Sequence, residues 1–229
     1  MGSQISNKDL GEIIAFLNQN LSEVPGTNHF IGRLKNRRNE DDFIHAQIIK
    51  RIYESNKFKI TGIDLSLQRY NNDKGINEKF DIDIELNNEY YIQIWHGASY
   101  SSHRVKEIMD SSKSYGGGVL SDFLSDRKKI DKKMQQLPNN NLGIVICYPR
   151  YGLGGDILPS NIPKNKAFVE IMLVKAKNGI SELAGIFISE DFNYQDVVIA
   201  IVKSAGFTLR DPPVITTENT SNQTISSPH

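Results

Sequence analysis

Three carboxylates stand at every second position in FDIDIELNNEYYIQIWHG, residues 80–97. Asp81, Asp83 and Glu85 alternate with Phe80, Ile82, Ile84 and Leu86, and a second run interleaves Tyr90, Ile92 and Ile94 with Tyr91, Gln93 and Trp95. Strands disfavour Asp, and like charges at period two repel across a pleated face. Such a comb is either a solvated surface or the holder of a cation. The register of the two runs decides what stands beside it. A two-residue turn on Asn87-Asn88 would pair Leu86 with Glu89 and send Ile92 and Ile94 to the face opposite Ile82 and Ile84. A three-residue loop, with Asn88 best suited to a left-handed conformation, pairs Leu86 with Tyr90 and Ile84 with Ile92. Apolar consistency selects the second register. Phe80, Ile82, Ile84, Leu86, Tyr90, Ile92 and Ile94 then face one core, while Lys79, Asp81, Asp83, Glu85, Tyr91, Gln93 and Trp95 share the other face. Carboxylate and amide oxygens side by side are hard donors, which suit Mg²⁺ better than a soft metal.

The elements that must position these residues follow from periodicity. Ser6 to Asp9 form a capping pattern ahead of Leu10, Ile13, Ile14, Leu17 and Leu21, a helix that Pro25 and Gly26 end. A basic connector, GRLKNRRN, carries Arg33, Lys35, Arg37 and Arg38. A second helix is expected over about 40–55, capped by Asn39, with acidic Glu40, Asp41 and Asp42 at its positive end. Its buried stripe would be Phe43, Ile44, Ile48, Ile52 and Tyr53. Strand signals cover 58–70, with a break at Gly62, and the hairpin spans 79–96. Val119, Leu120, Phe123, Leu124, Ile130 and Met134 mark a helix stopped near Pro138, and Leu142 to Tyr148 read as a buried strand. Phe168 to Lys175 and Leu183 to Ser189 flank the turn signal Asn178-Gly179, and a helix over about 194–204 ends at Gly206. From Pro212 the chain is polar and is expected to be disordered.

The resulting order, helix 40–55, strand 58–70, hairpin 79–96, helix 119–137 and strand 142–148, reads α-β-β-β-α-β. It resembles the core of the PD-(D/E)XK nuclease superfamily, the restriction-endonuclease-like fold, over about 38–150. The resemblance implies an α/β domain with a mixed central sheet and flanking helices. It further implies a second-strand Asp and a third-strand (D/E)-x-K or Gln-x-Lys motif that hold Mg²⁺ and activate water. Asp81 or Asp83 matches the second-strand Asp, Gln93 matches the Glu-or-Gln position, and Glu40 matches a Glu that many members carry on the first helix. Where the family has Lys this chain has Trp95, and an indole neither deprotonates water nor neutralises charge. Lys79, on the same face by parity, is the candidate replacement, and Lys59 lies on the neighbouring strand.

The function implied is a Mg²⁺-dependent DNA endonuclease, similar to type II restriction enzymes and homodimeric on a symmetric duplex. Asp81, Asp83 and Gln93 would be the metal ligands, joined in catalysis by Lys79 and Glu40. Nucleic acid would meet Arg33, Lys35, Arg37, Arg38, Trp95, Lys128 and Lys129. The alternative is a catalytically inactive protein of the same fold that binds nucleic acid or a protein through Trp95. The chain divides into an N-terminal helix and basic connector (1–37), a nuclease-like core (38–150), a C-terminal hairpin-and-helix elaboration of the same domain (151–211) and a tail (212–229).

Composition narrows the alternatives. The 229 residues balance 27 Lys and Arg against 27 Asp and Glu, so any nucleic-acid binding must come from local patches. One cysteine, Cys147 in an apolar run, admits no internal disulfide and suits a reducing, cytoplasmic setting. No apolar run is long enough for a transmembrane helix, so no membrane partner is expected. Met1 to Ser6 match a myristoylation pattern without a polybasic partner, and the sequons at Asn219 and Asn222 lack a secretory signal. Gly152 to Asp156 resemble a phosphate loop without the following Lys-Ser/Thr. His29, His45, His96 and His103 have no zinc spacing, and no Gly-x-Ser-x-Gly elbow is present.

Overall fold

Ser6 opens the first helix as the sequence predicts: its Oγ accepts the Asp9 N–H at 3.0 Å, satisfying an orphan donor of the first turn. The computed structural model describes residues 5–37, 40–71, 75–96, 119–138, 140–148, 159–176, 179–210 and 214–216. Helix α1 (Asn7–Leu21) buries Leu10, Ile13, Leu17 and Leu21. Gly26 then takes φ +84°, and a Cβ there would stand 1.6 Å from the Ile63 carbonyl oxygen. Only glycine permits that approach, which the Ile63 N–H to Pro25 carbonyl bond of 2.9 Å fastens.

The expected basic connector is instead a helix, α2 (Thr27–Arg37). Its buried residues Thr27, Phe30, Ile31 and Leu34 are spaced i, i+3, i+4, i+7, so it docks by an apolar stripe although its composition is basic. Buried residues of both α1 and α2 belong to the main core. Helix α3 (Glu40–Ser55) buries Ala46, Ile48, Ile49 and Ile52, while Phe43, Ile44 and Tyr53 are only partly covered. Its inward stripe is rotated from the expected one and takes in Asp42 and His45.

One mixed sheet follows: β1 (Ile60–Asn71), β2 (Ile76–Leu86), β3 (Tyr90–His96), β4 (Leu142–Tyr148), β5 (Lys166–Ala176), β6 (Gly179–Ser189) and the two-residue β7 (Thr208–Leu209) lie side by side in chain order. The pairs β1–β2, β2–β3 and β5–β6 are antiparallel, and β3–β4 and β4–β5 are parallel. The parallel β3–β4 step needs a crossover, and helix α4 (Val119–Gln136) lies between them in sequence. Helices cover both faces. The α1, α2, α3 and α5 (Gln195–Ser204) side packs on Ile84, Ile92, Ile94, Ile144 and Ile146. The α4 side packs Ile130, Met134 and Leu137 on Trp95, Val145, Cys147 and Phe168.

The hairpin register is the one the apolar pattern selects: Ile84 pairs with Ile92 and Leu86 with Tyr90. Asn87 and Asn88 both adopt left-handed backbone, at φ 55° and 57°. One expectation fails. Ile82 belongs to the α4 layer with Trp95, whereas Ile84 faces the opposite layer, so β2 does not keep a single apolar face. The C-terminal expectation also needs correction, since β8 (Val214–Thr216) pairs in parallel with Phe187, Ile188 and Ser189 of β6. Regular structure thus continues past residue 212. The myristoylation match, Gly152 to Asp156, His103, the Asn178 turn position and the two sequons lie outside the described residues, at least in part. No helix among the described residues is long and apolar enough to cross a membrane.

Candidate functional site: a fork between two strands

The β2–β3 ladder runs over Leu86↔Tyr90, Glu85↔Tyr91 and Ile84↔Ile92. Beyond it the sheet forks. β2 stays with β1 as far as Asn71↔Ile76, and β3 stays with β4 as far as His96↔Tyr148. Asp83 sits in the crotch. Its Oδ2 accepts the Ile94 main-chain N–H at 2.6 Å, so a side-chain oxygen takes the place of a ladder carbonyl. The carboxylate is 11% exposed.

Two groups approach it from opposite faces of the sheet. The Lys133 ammonium, from α4, stands 3.9 Å from Asp83 Oδ2 and donates to Gln93 Oε1. The buried Gln93 amide in turn donates to the main-chain oxygen of Asp81 across the fork. From α3, His45 Nδ1 stands 3.9 Å from Asp83 Oδ1. Burial pushes the His45 imidazole down to a pKa of about 3, with Arg33 and Lys133 adding to the effect. A neutral ring at that distance is a packing contact and not an ion pair. Burial raises the proton affinity of Asp83, an effect that Lys133, the Ile94 N–H and Arg33 oppose and that Asp81 reinforces.

Behind His45 lies an ionic node. Arg33 reaches from α2 to Asp42 Oδ1 on α3 at 2.9 Å and to Asp64 Oδ1 on β1 at 2.6 Å, with its guanidinium over the Phe30 ring. His29 Nδ1 lies 2.6 Å from the other Asp64 oxygen.

Asp83 and Gln93 both lie against the Lys133 ammonium, whereas other expected partners stand elsewhere. Asp81 is solvent-exposed and contributes its carbonyl, not its carboxylate, to the Gln93 bridge. Lys79 lies opposite Gln68 on the far arm of the fork, and Glu40 opens α3; their side chains lie outside the described residues. Lys59 lies beside the hairpin turn, where its N–H donates to Asn87 Oδ1. Trp95 does not present its ring to a partner: at 8% exposure it fills the apolar layer under α4. Arg33 is likewise turned inward, 18% exposed, with its guanidinium against Asp42 and Asp64. Lys35, Arg37, Lys128 and Lys129 are exposed, and Arg38 lies outside the described residues.

Sequence reasoning gave no site role to His45 or to Lys133. A signal existed for each. Lys133 is three residues after Ile130 on the apolar stripe of α4 and four before Leu137 just past its end, and His45 is four before Ile49 on the stripe of α3. A polar residue on a buried stripe is the informative exception.

The Asp83 carboxylate and the Gln93 amide oxygen are hard oxygen donors of the class that divalent cations take, and the exposed Asp81 carboxylate is another of that class. The raised proton affinity of Asp83 also means that its negative charge is incompletely compensated by its present partners. Among the described residues no group of three His, Cys, Asp or Glu side chains converges as a metal cage, so Gln93 and the exposed Asp81 would have to complete one. Comparisons with protein-family models, with curated proteins and with solved structures give no match.

Proposed function

We propose that this chain is a Mg²⁺-dependent endonuclease of the restriction-endonuclease-like fold that hydrolyses phosphodiester bonds in double-stranded DNA. One observation carries the reading. The strand fork joins a buried carboxylate, an amide oxygen and an ammonium in one space, on a chain whose elements run α3-β1-β2-β3-α4-β4. The ammonium that Trp95 denies to the third strand arrives from α4 as Lys133. Only its position in space matters to the chemistry, so a lysine on a helix can serve as well as one on a strand.

Asp83, Asp81 and Gln93 would hold the cation, which supplies Lewis acidity toward a phosphoryl oxygen and acidifies a bound water. Lys133 would neutralise charge developing on the phosphoryl group while orienting the Gln93 amide. Asp81 holds that amide from the other side through its carbonyl. Trp95 lines the apolar layer beneath. A homodimer on a symmetric duplex follows from the same likeness to type II enzymes. The binding-only alternative drew on an accessible Trp95, and that ring is 8% exposed.

The test is cleavage of supercoiled plasmid and of single-stranded RNA with Mg²⁺ or Mn²⁺, alongside melting curves. Metal should support DNA nicking that Asp83→Asn and Lys133→Met abolish. Metal should also stabilise the parent, by about 2.7 kcal/mol at one hundred times the dissociation constant, but not Asp83→Asn. No cleavage together with no melting shift in the parent would sink the reading.

A further inference from the structure

Asp64 and Asp83 are the residues at which two paired strands exchange faces. In β1, Ile63 packs in the α3 layer, whereas Leu65 and Leu67 pack in the α4 layer. In β2, Ile84 packs in the α3 layer and Ile82 in the α4 layer. The register pairs Ile63 with Ile84 and Leu65 with Ile82, which sets Asp64 and Asp83 opposite each other at the exchange. Strict alternation would put Ile63 and Leu65 on one face, so one residue in between must leave extended conformation. Asp64 does so, with φ +52°, a left-handed conformation uncommon for any residue but glycine.

Ionic contacts hold the aspartate there. Its carboxylate is 6% exposed and accepts Arg33 Nη1 at 2.6 Å, and Arg33 Nε is 2.9 Å from Asp42 of α3. One planar guanidinium thus ties the exchange point of β1 to two helices, which a lysine's single ammonium would do poorly. The exchange is also what delivers Asp83. With Ile82 and Ile84 on one face, Asp83 would project from the other. Its Oδ2 could not then lie in the plane of the sheet to receive the Ile94 N–H.

We infer that the Arg33–Asp64 bridge fixes the face exchange and so carries the Asp83 carboxylate into the strand fork, making Arg33 and Asp64 positioning residues and not contacts to nucleic acid. The structural part stands by itself; its kinetic consequence rests on the nuclease reading.

Arg33→Gln removes the forked cation, Asp64→Asn removes the charge while tolerating left-handed backbone, and Asp64→Gly removes the bridge while relaxing the backbone. Amide hydrogen exchange is measured at Ile94, with Ile144 and Ile146 of β4 as references for overall stability, and plasmid cleavage supplies kcat and KM. Each folded variant should lose protection at Ile94 by ~10-fold or more relative to Ile144 and Ile146. Its kcat should fall by about 10- to 100-fold, the scale of a 1 Å misplacement, with KM for DNA nearly unchanged. Unchanged protection at Ile94, or equal loss at Ile94, Ile144 and Ile146, overturns the inference. So does a rise in KM at constant kcat for Arg33→Gln, which would make Arg33 a phosphate contact. If the parent cuts no DNA, the nuclease reading fails and the exchange data alone still decide the positioning role.

Discussion

Acidification from pH 7 to pH 5 should remove about 2 kcal/mol of stability through one side chain, His45. Its imidazole is buried at the fork, where burial, then Arg33 and Lys133, push its pKa from 6.5 to about 3. The folded value lies below the unfolded one, so the unfolded chain is the better proton acceptor. The contribution is complete above the unfolded value and drains away as pH falls below it. Across this window the unfolded imidazole passes from roughly one quarter protonated to almost fully protonated, while the folded one stays neutral. The loss is therefore set by the unfolded chain, because the folded value lies well below the window. For a chain of this size it corresponds to about 4–8 °C in melting temperature. Asp83 acts with the opposite sign. Burial raises its proton affinity, so the cost of ionising it in the folded state is present at neutral pH and shrinks on acidification toward 3.8. The comparison is thus parent against His45→Gln, in which that contribution is largely shared. Urea unfolding followed by the emission of Trp95, the single and buried tryptophan, supplies the free energies. The parent should lose about 2 kcal/mol more than His45→Gln between the two pH values. Parallel losses would refute the assignment of a neutral, buried imidazole.

Lys133→Met should lower stability at pH 7 by about 1–3 kcal/mol, because Asp83 keeps the Ile94 N–H but loses its nearest cation. Adding Asp83→Asn should recover part of that loss, and a double-mutant cycle with no coupling would show that the two side chains do not interact. Gly26→Ala should cost at least about 2 kcal/mol in urea unfolding, since its Cβ would collide with the Ile63 carbonyl and φ is +84°. Gly11→Ala, in α1 with nothing within 4 Å, should instead stabilise by up to about 1 kcal/mol. Deleting 214–229 should lower the melting temperature by several degrees, because it strips the three-residue β8 from β6; an unchanged melting curve would show that this pairing contributes nothing.

Most of the element order was legible because period and punctuation carry it. The hairpin register in particular followed from one requirement, that Ile84 and Ile92 share a face, and the ladder obeys it. The basic composition of 27–37 hid α2, although Thr27, Phe30, Ile31 and Leu34 already had helical spacing. The α-β-β-β-α-β order was also determined by the sequence, through periodicity. Tertiary structure alone decided the face exchange. Alternation describes a strand that keeps its pleat, and Asp64 at φ +52° breaks it under the hold of Arg33, 31 residues away in sequence. The exchange turns Ile82 away from Ile84 and puts Asp83 between the strands. The cation for the opening carboxylates was equally hidden, since Lys133 is 40 residues from Gln93 and meets it only once α4 crosses the sheet. Strand period fixes which neighbours share a face, but ion pairs between elements depend on how helices dock, and local spacing does not contain that information.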